Sequence, residues 1–162
     1  MKTAGIIAEY NPFHKGHEYQ IRYTKERLKA DYVIVAMSGD YVQRGTPALI
    51  SKHARAEMAL RCGADLVLEM PVSVSTASAE AFAMGGVSLL DGLGVVDMLC
   101  FGSESGEISA LKELAEIFVE VPAGACGNSC KGTRRIPAIT ERISGKRTVL
   151  SCCQKPGTDR IF

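Results

Sequence analysis

The sequence predicts an α/β fold, a parallel sheet with helices on both faces, and two observations carry that prediction. Short apolar, β-branched runs alternate with segments of helical periodicity from the start of the chain to about residue 121. The runs are apolar at consecutive rather than alternate positions, the pattern of strands covered on both faces.

Ala4-Gly5-Ile6-Ile7-Ala8-Glu9 opens the chain as a buried strand, and Asn11-Pro12-Phe13 breaks it. A helix is expected over residues 16–30, with Tyr19, Ile21, Tyr23 and Leu28 on one side and charges on the other. Tyr32-Val33-Ile34-Val35-Ala36-Met37 is a second buried strand, and a long polar loop comes next over residues 38–47. Ser51 suits the N-cap of a helix reaching Cys62, and Gly63 suits its stop. Leu66-Val67-Leu68-Glu69-Met70 is the third strand, ended by Pro71. Residues 78–90 form a small-residue helix, where Gly85 and Gly86 permit close packing at some cost in helix propensity. Val95 to Phe101 is the fourth strand, residues 102–105 a turn, and residues 107–120 an amphipathic helix. The sum is a Rossmann-like sheet. Ligands bind such sheets beyond the carboxyl ends of the strands, so the expected rim is made by residues 10–16, 38–46, 71–77 and 102–106.

With 46% hydrophobic residues the composition is that of an ordinary globular protein. No apolar run approaches the roughly 20 residues of a membrane helix, and Glu9 cuts the first run too short for a signal peptide. A cytoplasmic, non-membrane protein is expected. The net charge of +1 conceals an asymmetry. Residues 1–121 hold 11 Lys/Arg against 16 Asp/Glu, net −5, and residues 122–162 hold 8 against 2, net +6. Cys126, Cys130, Cys152 and Cys153 crowd the second part, which shows no convincing strand or long helix. The domain reading is therefore an ordered unit over 1–121 and an irregular, basic, Cys-containing tail over 122–162. A truncated or frameshifted product and a divergent native tail both explain that break. The basic tail would attract phosphates, but no aromatic residue precedes Phe162 to stack on bases.

Two common nucleotide motifs are missing. Ser144-Gly145-Lys146-Arg147 lacks the first glycine and the final hydroxyl of a phosphate loop, and no Gly-x-Gly-x-x-Gly stands after the first strand. The turn after that strand carries His14-Lys15-Gly16-His17 instead. A strand-to-helix turn aims backbone N–H groups and the positive helix end at one point. Gly16 leaves the backbone open to a phosphate, and His14 and His17 add hydrogen-bond donors on either side. Fixed donors of this kind stabilise charge that grows as pyrophosphate leaves. Against this stand a metal pair and a plain polar helix start. A zinc site needs further ligands, His53 is the only other histidine, and the cysteine spacings are not those of zinc sites; no metal ligand set is expected. Asp40 and Arg44, in the loop after the second strand, are candidate substrate residues: a carboxylate for a cation and a fork for a carboxylate or phosphate. A salt-bridged or solvated loop is the competing reading. Glu69 and Glu104 are ambiguous rim residues. Cys62 and Cys100 read as inert core thiols, and Met58, Met70, Met84 and Met98 as core filler.

Four blocks in order extend the motif. They are Gly5 through His17; Ser38-Gly39-Asp40-Tyr41-Val42-Gln43-Arg44-Gly45-Thr46-Pro47-Ala48; Gly63-Ala64-Asp65-Leu66-Val67-Leu68-Glu69-Met70-Pro71; and Phe101-Gly102-Ser103-Glu104. Together they resemble the bacterial tRNA(Met) cytidine acetate ligase family of the His-x-Gly-His nucleotidyltransferase superfamily, over residues 1–121. The resemblance implies a nucleotidyltransferase-like fold and ATP contacts at Ile7, Ala8, Glu9, Tyr10, Asn11, Pro12, Phe13, His14, Lys15, Gly16, His17, Glu18, Tyr19, Gln20 and Gly102. It implies catalytic roles for His14 and His17 at the phosphates, with Mg2+ accompanying the triphosphate. Acetate and ATP would give acetyl-adenylate, and the wobble cytidine of elongator tRNA(Met) would then become N4-acetylcytidine. Two alternatives stay open: a nucleotide-binding module without catalysis, and an adenylyltransferase for a small cofactor precursor.

Overall fold

The computed structural model describes residues 1–103 and the backbone of residues 149–154. The strands are β1 (Thr3–Ala8), β2 (Tyr32–Met37), β3 (Leu66–Glu69), β4 (Met98–Ser103) and β5 (Val149–Gln154). The helices are α1 (Lys15–Glu26), α2 (Lys52–Arg61), the short α3 (Val72–Ser75) and α4 (Ala79–Gly92), with a 3-10 turn at Gln43–Gly45. All strands run parallel in the order β3-β2-β1-β4-β5. The chain returns from β3 to the far side of β1, so the order reverses between β1 and β4. The predicted α/β class, with helices on both faces, is what the structure shows.

Alternate side chains of the central strands supply two cores. Ile6, Val33 and Val35 pack with Ile21 of α1 and Ala59 of α2 on one face. Ile34, Ala36 and Leu99 pack with Phe82, Val87 and Leu90 of α4 on the other. Aspartates set the amino-terminal edge of the sheet. Asp31 accepts from the Lys2 N–H, Asp65 from Val33 and Asp97 from Thr3, at 2.7, 2.8 and 2.8 Å. Each carboxylate sits beside its own strand and holds the neighbouring one.

Gly85 and Gly86 carry the close packing expected of them. A Cβ on Gly85 would lie 2.1 Å from Val74 Cγ1, and one on Gly86 would lie 2.7 Å from Ile7 Cγ2. Helix α4 is therefore pressed onto β1 at a residue that also faces the carboxyl end of the sheet. Ser51 and Ser78 cap α2 and α4, each hydroxyl accepting from the residue three further on. Gly63 stops α2 at φ +107.

Several expectations need correction. Helix α1 ends at Glu26, not at residue 30, because Lys29 turns left-handed (φ 55) and the Ala30 N–H closes back on the Thr24 carbonyl at 3.2 Å. Gly102 and Ser103 are not in a turn but extend β4. The tail is not strandless: β5 pairs with β4 along six residues, from Val149 on Met98 to Gln154 on Ser103. Thr148-Val149-Leu150-Ser151-Cys152-Cys153 is too short and mixed to announce a strand, and the open edge of β4 supplies the ladder. Met70 and Met98 are buried and Met84 is partly so, but Met58 is 37% exposed on the outer side of α2. Glu104, the helix expected over 107–120, Cys126 and Cys130 lie outside the described residues. No helix among the described residues is long and apolar enough to cross a membrane.

Candidate functional site

A cavity of about 380 Å³ opens at the carboxyl ends of β1 and β4, beside the start of α1. This is the switch point of the sheet, where diverging connections leave a crevice. Ile7 and Ala8 from β1, the adjoining Glu9 to Pro12, His14, His17 and Gln20 at α1, and Phe101 and Gly102 from β4 line it. A Cβ on Gly102 would meet nothing within 4 Å, so this wall is open.

The two histidines form a reciprocal cap on α1. His14 is the N-cap residue, and its Nδ1 accepts from the Gly16 N–H at 3.1 Å. The Nδ1 of His17 accepts in turn from the His14 N–H at 3.3 Å. The rings stack with centroids 3.7 Å apart. An imidazole that accepts at Nδ1 carries its proton on Nε2, so both rings are set with a donor edge at Nε2. Gly16 has a further role. A Cβ there would lie 3.0 Å from His14 Cε1 and 3.1 Å from Nδ1, so a side chain would push the capping ring aside.

Behind the histidines, Tyr10 turns the chain out of β1 at φ 52 and is 1% exposed. Its ring meets Phe13 edge-on at 4.9 Å and His17 at 4.8 Å. Burial, reinforced by the Cys100 and Cys62 thiols, pushes the Tyr10 phenol well above its ordinary range, so it stays a neutral packing ring. Phe13 packs against the core beneath. Gln20 donates to the Cys100 carbonyl at 3.2 Å, tying α1 to β4.

The loop after β1 is braced against the loop after β2. Glu9 accepts from the Gln43 N–H at 2.9 Å and Asn11 from the Leu49 N–H at 2.7 Å. Beneath both lies Arg55 of α2, 0% exposed, whose guanidinium donates to the carbonyls of Ile50, Glu9, Ser38 and Gly39. Burial lowers its pKa, and the charges of Asp40, Glu9 and Glu69 oppose that shift. Sequence reasoning missed Arg55. An arginine between alanines on a helix reads as a solvated face, and only the tertiary fold brings the strand ends over it.

Asp40 and Arg44 stand apart from the cavity lining. Asp40 is exposed and lies 3.4 Å from the Lys52 ammonium, which also holds Glu69 at 3.0 Å. The Glu69 hydrogen bond, with help from Asp40, pushes the Lys52 ammonium up. Arg44 is exposed at φ 63 within the 3-10 turn. Of the residues singled out in the sequence, Lys15, Gly16 and Glu18 lie on the exposed first turn of α1, and Phe13 and Tyr19 pack toward the core. Cys100 is buried and Cys62 partly so; burial, then Glu18, push the Cys62 thiol up. Among the described residues no three His, Cys, Asp or Glu side chains converge on a point where a metal would sit.

Comparison with known proteins identifies this arrangement. The model of the HIGH Nucleotidyl Transferase family matches residues 1–129. The chain belongs to that family. Over 122 residues it is 52% identical to the tRNA(Met) cytidine acetate ligase of Acetivibrio thermocellus, covering 75% of this chain and 29% of that protein. The same enzyme of Clostridium perfringens is 54% identical over 122 residues, 75% of this chain and 30% of that protein. The chain thus spans about 30% of the length of the curated relatives it matches. The crystal structure of Thermotoga maritima TmcAL bound with alpha-thio ATP matches with a TM-score of 0.82 at 34% identity, covering 100% of this chain and 48% of that one. A lipopolysaccharide core biosynthesis protein from Thermoplasma volcanium shares the fold alone, with a TM-score of 0.52 at 13% identity over 97% of this chain and 99% of that one. The four sequence blocks were thus a sound guide to kinship. His14-Lys15-Gly16-His17, within the matched residues, caps α1 at the cavity.

Proposed function

We propose that this chain binds ATP in the β1–β4 cavity and activates acetate there, as the nucleotide-handling part of a tRNA(Met) cytidine acetate ligase. The observation that carries the reading is the reciprocal His14–His17 cap on the cavity wall, in a chain 52% identical to a tRNA(Met) cytidine acetate ligase. The triphosphate lies at the start of α1, where backbone N–H groups and the helix dipole favour an anion. Residues Ile7 to Gln20 surround it, and Gly102 lets the nucleoside approach the end of β4.

An acetate oxygen attacks the α-phosphorus of ATP, the bond to the bridging oxygen breaks, and pyrophosphate leaves with the electron pair. The Nε2–H groups of His14 and His17 donate to phosphate oxygens whose charge rises in that step. Mg2+ would accompany the triphosphate and offset the charge on its oxygens. Glu9 and Asp40 are already engaged with Gln43 and Lys52, so the protein adds few ligands. The N4 amine of the wobble cytidine of elongator tRNA(Met) then attacks the acetyl carbonyl, giving N4-acetylcytidine, AMP and a proton. Arg44 holds acetate or a phosphate at the outer rim, and Asp40 stands at the start of the same loop, paired with Lys52. The cytoplasm supplies all three substrates.

Acetate-dependent exchange of labelled pyrophosphate into ATP tests the first step. Exchange that requires acetate supports the proposal. Exchange that requires a different acid or phosphate would indicate an adenylyltransferase for another small molecule. The other reading is a nucleotide-binding module without catalysis. ATP binding with no exchange would select it.

A further inference from the structure

The geometry assigns to Arg55 the role of a positioning residue for the nucleotide cavity: its buried guanidinium fixes the direction in which the chain leaves β1 and β2. The assignment rests on the reading of the cavity as the ATP site. Arg55 is the largest fully buried side chain among the described residues. Burying a cation is costly unless its hydrogen bonds are made, and no carboxylate lies within ion-pair distance of it among the described residues. Its partners are main-chain carbonyls. One belongs to Glu9, in the cavity wall. Two belong to Ser38 and Gly39, directly after β2. The fourth, from Ile50, anchors the guanidinium to its own helix start.

The ends of parallel strands leave carbonyls that no ladder satisfies. A planar fork with five N–H donors satisfies several at once and fixes their relative angles. The Glu9 carbonyl belongs to the peptide that joins Glu9 to Tyr10, and Tyr10 turns left-handed immediately afterwards. Holding that peptide sets the path from Tyr10 to His14, and so the place of the capping histidines. The Glu9–Gln43 and Asn11–Leu49 hydrogen bonds brace the same two loops from above. An apolar residue at position 55 would fill the core but leave the carbonyls unpaired. A lysine would keep the charge but lose the fork.

The test is Arg55→Lys in the full chain, with Arg55→Gln as a second variant that keeps a planar donor. For each, circular dichroism establishes a temperature at which the protein is folded. ATP affinity is then measured there by calorimetry, and amide hydrogen exchange is tracked along the chain. The expected result is an ATP affinity about tenfold weaker or more, with faster exchange confined to residues 9–14 and 38–45. Unchanged ATP affinity in a folded variant, or exchange accelerated evenly through α1, α2 and α4, would overturn the assignment. A variant that folds only with added guanidinium ion, and then binds ATP, supports it; restored folding without ATP binding refutes it. If the wild type itself fails to bind ATP, the reading of the cavity falls, and the exchange pattern alone decides whether Arg55 orders these loops.

Discussion

The loops after β1 and β2 leave neighbouring strands at the same edge of the sheet, and they are held to different degrees. The first is anchored from below and above: Tyr10 is buried, Arg55 grips the Glu9 carbonyl, and Asn11 holds Leu49. The second shares Arg55 at Ser38 and Gly39 and meets Glu9 through the Gln43 N–H, but its tip closes on itself. The Val42 N–H donates to Thr46 and the Gly45 N–H to Val42, at 2.9 and 3.1 Å. Only Val42 is buried within residues 40–47, while Asp40, Tyr41 and Arg44 face solvent. The difference separates two tasks. A site that stabilises a fixed distribution of charge must be built before the ligand arrives, and the first loop has that construction. A loop with exposed charged side chains can adapt, and the second has that one.

The strongest test of the comparison is the donor edge itself. His14→Asn keeps a capping acceptor, so α1 should lose little stability. It removes the Nε2 donor, and pyrophosphate exchange should fall about 100-fold or more. An unchanged exchange rate with unchanged stability would move the phosphates away from α1.

A core substitution probes the same loop from beneath. Gly86→Val places atoms where Ile7 already sits. Overpacking of this kind costs about 2 kcal/mol, read as a lower urea midpoint. Because Ile7 also lines the cavity, ATP affinity should fall with it. The matched control is Gly92→Ala, where an added Cβ meets nothing within 4 Å; better helix propensity should leave that variant as stable as the wild type or more so.

The contrast between the loops also explains what the sequence disclosed. Strands β1, β2 and β3 and helices α2 and α4 were legible because their signals are local: consecutive apolar runs, a serine cap, a glycine stop. His14 and His17 were legible because they sit one turn apart directly after a strand. Three features had no local signal. Lys29 ends α1 in a conformation usually given to glycine, and β5 exists through its pairing with β4. Arg55 becomes a structural hub only when Glu9, Ser38 and Gly39 fold over it. Asp40 could be read as a loop charge, but its ion pair with Lys52 depends on α2 docking beside β2 and β3.

A smaller effect is expected at Gly16. Gly16→Ala sets a Cβ against the His14 ring, at 3.0 Å from Cε1, and the ring must move by a few tenths of an ångström. ATP affinity should weaken about tenfold. Alanine in the first turn of a helix is better tolerated than glycine, so the melting temperature should hold or rise. Opposite movement of affinity and stability is the signature of a residue kept for the site rather than for the fold. If both fall together, Gly16 serves the helix alone.

The smallest effects belong to the second loop, and they decide whether it takes part at all. Asp40 and Lys52 form an exposed pair, and salt screens most of such an attraction. Asp40→Asn should therefore leave the melting temperature within about 1 °C of wild type. Arg44 has an exposed side chain, and Arg44→Ala should be equally silent in stability. If Arg44 holds acetate, the acetate concentration needed for half-maximal exchange should rise about tenfold, the loss expected of a charged hydrogen-bond pair, while ATP affinity stays constant. If it holds a phosphate, ATP affinity should weaken and the acetate requirement stay constant. Should neither move, the loop after β2 contributes Ser38 and Gly39 as backbone beneath the site, and the braced loop after β1 carries the polar contacts at this edge.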